Sequence, residues 1–166
     1  MTNRRADGRI DSVDEGSRLN TRDSELVDEA TLRLVRATLA RERPAELPLL
    51  EARGSELLAE VRASRITKKG DDPLAFGVDG TLALLTPVLL AIGPKAIEFL
   101  YDVARSAASA ALKDQILAWC RDEAKLTLPD DLEDRMLEVL EAELAHRYPT
   151  VDTAGVTAKL IAALKA

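Results

Sequence analysis

The sequence predicts an all-α protein: a single bundle of five to six helices with one long central helix and a disordered N-terminal arm. Three observations carry that expectation. Alanine and leucine dominate the 46% hydrophobic content, and both are strong helix formers, whereas runs of β-branched residues are few. Apolar residues recur at spacings of three and four. No window shows the period-two alternation of a half-buried strand. With 166 residues the chain can bury a core as one domain, and its composition divides it into an arm over 1–22 and a helical domain over 23–166.

The arm, MTNRRADGRIDSVDEGSRLNTR, alternates charged and small polar residues and offers only Ile10, Val13 and Leu19 for burial. That is too little apolar surface to offset the entropy of ordering it. A first helix is expected over 24–41. Asp23 or Ser24 can cap it, and Glu25, Asp28 and Glu29 lie where the helix dipole favours negative charge. Val27, Ala30, Leu34 and Ala37 share its inner face, and Pro44 ends it. A second helix is expected over 45–64, with Pro48 in its first turn and Leu50, Leu57, Leu58 and Val61 inward. Gly54 either permits close helix contact or is tolerated at a cost of about 1 kcal/mol relative to alanine. Residues 65–80 read as a loop, because Gly70, Pro73, Gly77 and Gly80 deny it regular structure.

The next stretch, 81-TLALLTPVLLAIGPKAIEFLYDVA-104, is the most apolar part of the chain. From Gly80 to Pro94 it carries no charge over fifteen residues, short of the roughly 20 that span a bilayer. Pro87 interrupts it, and Asp79 and Lys95 bound it. It is therefore expected to form a short buried helix over 81–92, with Thr86 capping the piece that follows Pro87. Gly93 and Pro94 read as a cap followed by a helix restart. The helix they begin is expected to run from 94 to 125, about 45 Å at 1.5 Å per residue, as the spine of the bundle. Between Ala104 and Ala111 its face holds only small residues, so another helix can approach closely there. A helix over 129–147 follows, with Asp130, Asp131, Glu133 and Asp134 at its positive end and Met136, Val139 and Leu140 on its apolar side. The last helix, over 152–164, has Asp152 as its cap.

Composition excludes several functions. A formal net charge of −6 and a pI near 4.9 argue against a broad nucleic-acid footprint, which needs clustered Lys and Arg. Aromatic residues make up 3% of the chain, which leaves few rings to stack on bases. One cysteine, Cys120, excludes an internal disulfide, and no apolar run follows Arg4-Arg5 as an export signal requires, so a bacterial-type cytoplasmic location is expected.

Catalytic patterns fare no better. Glu143-x-x-His146 has the spacing of a carboxylate and an imidazole in di-iron bundles, but the chain has one histidine, so no metal is expected. Cys120 has no base beside it in sequence. Lys68-Lys69-Gly70 lacks the glycine-rich loop of a phosphate site, and no serine stands in a Gly-x-Ser-x-Gly context. No cofactor and no enzymatic activity are expected.

What is left is a non-enzymatic helical protein–protein interaction or accessory module, whose partner is another protein or a second copy of the chain. Its candidate interaction residues are Leu84, Leu85, Val88 and Leu89 in the apolar run and Ala104, Ala107, Ala108 and Ala111 on the small-residue face. The alternative is a membrane-associated effector using the apolar hairpin 81–112. Against it, Glu98, Asp102 and Arg105 are expensive in hydrocarbon.

Overall fold

A computed structural model describes residues 21–66, 85–149 and 151–166 of the chain. The predicted arm lies outside the described residues apart from its last two positions, as does the predicted loop from residue 67 onward. The described residues form six α-helices: α1 (Thr21–Glu42), α2 (Leu47–Ile66), α3 (Leu85–Ser106), α4 (Ala110–Cys120), α5 (Asp130–Arg147) and α6 (Thr153–Lys165). A single 3-10 turn, Pro44–Glu46, joins α1 to α2. There is no strand among the described residues, as the absence of period-two patterning predicts.

The inner face of α1 buries Val27, Ala30, Leu34, Val35 and Leu39, the stripe that its spacing of three and four dictates. Two threonines also lie on that face, wholly buried. Each folds its hydroxyl back to donate to the carbonyl four residues earlier, Thr31 to Val27 at 2.7 Å and Thr38 to Leu34 at 2.9 Å. The two polar groups are thus satisfied inside their own helix and cost the core little. Across the α1–α2 seam, Arg62 grips both carboxylate oxygens of Asp28, one of them at 3.0 Å.

Helix α3 packs against α1, α2, α4, α5 and α6. Its residues from Thr86 to Pro94 are buried without exception, so the described part of the apolar run past Leu85 lies in the core of this chain. Two local expectations about it are corrected. Pro87 does not divide the run, because it falls in the first turn of α3, where its missing N–H is not needed. Gly93-Pro94 does not end one helix and start another: α3 passes through both residues. Gly93 serves instead as a notch for α1. A Cβ placed on it would come 2.9 Å from Thr31 Cγ2 and 3.4 Å from Val35 Cγ2, so only a hydrogen at this position lets the two helices meet. Pro94 lacks the N–H that bonds the Leu90 carbonyl in a regular helix, and it is buried where α3 continues through it.

The predicted spine over 94–125 is also corrected. The helix stops at Ser106, and α4 begins at Ala110. Ser109, with extended backbone, is the N-cap of α4 and accepts a hydrogen bond from the Leu112 N–H at 3.4 Å. Helix α3 therefore has 22 residues, about 33 Å of rise. Asp152 caps α6 as its position predicts, accepting from the Gly155 N–H at 3.1 Å.

Candidate interaction surface

The eight sequence-predicted interaction residues do not form one surface. Leu84 lies outside the described residues. Leu85 is half-buried, while Val88 and Leu89 are in the core. Ala104, about 24 Å along α3 from Val88 at helical rise, is buried as well. The alanines become accessible only past Ser106, where the chain turns from α3 into α4: Ala107 is half-buried, and Ala108, Ala110 and Ala111 are exposed. The helix break thus carries a small-residue stripe out of the core and onto a corner. Asp102 and Arg105 flank it on α3, paired at 3.9 Å, and Lys113 and Asp114 flank it on α4.

A polar cluster that local sequence patterns do not reveal fastens the other end of α4. Arg33 of α1 stacks over the Trp119 ring, 5.0 Å from its centroid, donates to the Trp119 carbonyl and pairs with Asp122 at 3.5 Å. It therefore adds a charged donor to a carbonyl of the last turn and pairs a carboxylate where the helix dipole is negative. Asp122 has a φ of 64°, the left-handed position that closes a helix and usually belongs to glycine. The bonds of that closure are present: the Glu123 N–H donates to the Ala118 carbonyl at 2.9 Å and the Asp122 N–H to the Trp119 carbonyl at 3.0 Å.

The groups weighed for catalysis are each held in an ordinary structural setting. Cys120 is buried, and burial pushes its thiol upward, with Arg33, Tyr101 and Arg121 opposing that shift. Burial also raises the Tyr101 phenol, with the neighbouring Cys120 as a lesser cause. Both shifts favour the neutral form, the opposite of what a nucleophilic thiolate requires. His146 is exposed at the end of α5, and Glu143 pairs with Arg147 at 2.7 Å. Among the described residues no three His, Cys, Asp or Glu side chains come together as metal ligands. Nor, among them, is any helix long and apolar enough to cross a membrane.

One groove, of about 330 Å³, runs between α5 and α6. Leu137, Ala158, Ile161 and Ala162 line it, with the Lys165–Glu133 ion pair, 2.8 Å, among its walls. Comparison of the chain with protein-family models, with curated proteins and with solved structures returned no match in any of the three.

Proposed function

We propose that this chain is a non-enzymatic helical interaction module that meets a protein partner, or a second copy of itself, through the α3–α4 corner. The observation that carries this reading is the exposure of Ala108 and Ala111 beside half-buried Ala107. Side chains this small let a partner helix approach the backbone closely, and they lose almost no rotamer freedom on contact. The flanking charges of both signs give the patch a polar rim, which sets orientation rather than affinity. The neutral, buried thiol of Cys120 and the engagement of Glu143 by Arg147 support a role without chemistry of its own. A lone cysteine suits a reducing compartment, and the cytoplasm is the location we assign.

Sedimentation of the purified chain over a concentration series tests the self-association form of this reading. The expected result is a mass that rises with concentration in the wild type and stays monomeric in Ala111→Glu. A strict monomer in both at high micromolar concentration removes self-association and leaves a partner of different sequence.

A further inference from the structure

We draw no further inference here: the strongest candidate, the groove between α5 and α6 lined by Leu137, Ala158, Ile161 and Ala162, is an unpartnered apolar face, and nothing in the structure shows what covers it.

Discussion

The carboxylate of Glu46 closes the N-terminus of α3 through Thr86. Glu46 Oε2 accepts hydrogen bonds from the Thr86 N–H at 2.8 Å and the Thr86 hydroxyl at 2.6 Å, while Oε1 accepts from the Leu85 N–H at 3.0 Å. The donors belong to the first turn of the most buried helix, and Glu46 itself is 8% exposed. A buried helix end must find partners for its free N–H groups. Here a residue forty positions earlier supplies them, with a negative charge placed at the positive end of the dipole.

Replacing this carboxylate therefore costs more than an ordinary surface cap. Glu46→Gln puts an amide NH2 where one accepting oxygen stood and is expected to destabilise the fold by about 1–3 kcal/mol. Glu46→Ala leaves three donors unpaired and is expected to cost more. Urea denaturation followed by circular dichroism measures both. A midpoint unchanged from wild type in Glu46→Ala would contradict the capping role.

The notch at Gly93 makes a second expectation with an unusual sign. Glycine to alanine inside a helix ordinarily gains about 1 kcal/mol, but here the new methyl meets Thr31 Cγ2 at 2.9 Å. Gly93→Ala is expected to lose about 1–3 kcal/mol through overpacking. Thr31→Ser removes the opposing methyl and keeps the hydroxyl that bonds Val27, so in the Gly93→Ala background it is expected to recover part of the loss. A double-mutant cycle with no coupling between the two sites would disprove the notch.

Alkaline pH supplies a third test. Burial raises the Cys120 thiol and the Tyr101 phenol above their ordinary values. A raised acid keeps its proton in the folded state while the unfolded chain releases it. Its contribution to stability is thus complete below the unfolded value and fades as pH rises toward the folded one. The protein is expected to lose stability above the ordinary thiol value of about 9 and further above the ordinary phenol value of about 10. In Cys120→Ala the first part of that loss is expected to shrink, as read from thermal midpoints between pH 7 and pH 10. The native thiol is also expected to react with a thiol reagent far more slowly than the urea-unfolded chain. Equal rates would mean that Cys120 is accessible.

Asp122 offers a fourth. Its left-handed backbone strains any residue with a Cβ, and its ion pair with Arg33 is at an exposed carboxylate worth little. Asp122→Gly is expected to leave stability unchanged or raise it by up to about 1 kcal/mol, and Asp122→Val to lower it by 1 kcal/mol or more. Chemical denaturation of the two variants distinguishes them, and the opposite order would contradict the left-handed closure of α4.

The features legible in the sequence are those set by neighbours within a turn or two. The stripe Val27, Ala30, Leu34 and the cap Asp152 follow from helical spacing and from one short side chain reaching three residues ahead. The Gly93-Pro94 pair misleads because a helix restart and a packing notch call for the same residue. Only the position of Thr31, on another helix, separates the two. In the sequence Glu46 reads as an ordinary member of the expected helix over 45–64, since its partners in α3 are remote in sequence. The break at 107–109 interrupts a run of good helix formers, and its one local mark is Ser109, a strong N-cap residue amid alanines. As for the candidate surface, small residues from Ala104 to Ala111 are visible in the sequence, but which of them reach solvent depends on that break.

Capture from the native host tests the central claim most directly. A tagged wild-type chain is compared with an Ala108→Glu/Ala111→Glu variant, untagged chain being present so that a second copy counts as a partner. Both positions are exposed, and glutamate just before α4 or in its first turn suits the helix dipole, so circular dichroism is expected to show the fold intact. The account predicts that the wild type retains a protein, or its own untagged copy, which the variant loses. Identical capture by the two folded chains would contradict the α3–α4 corner as the interaction surface.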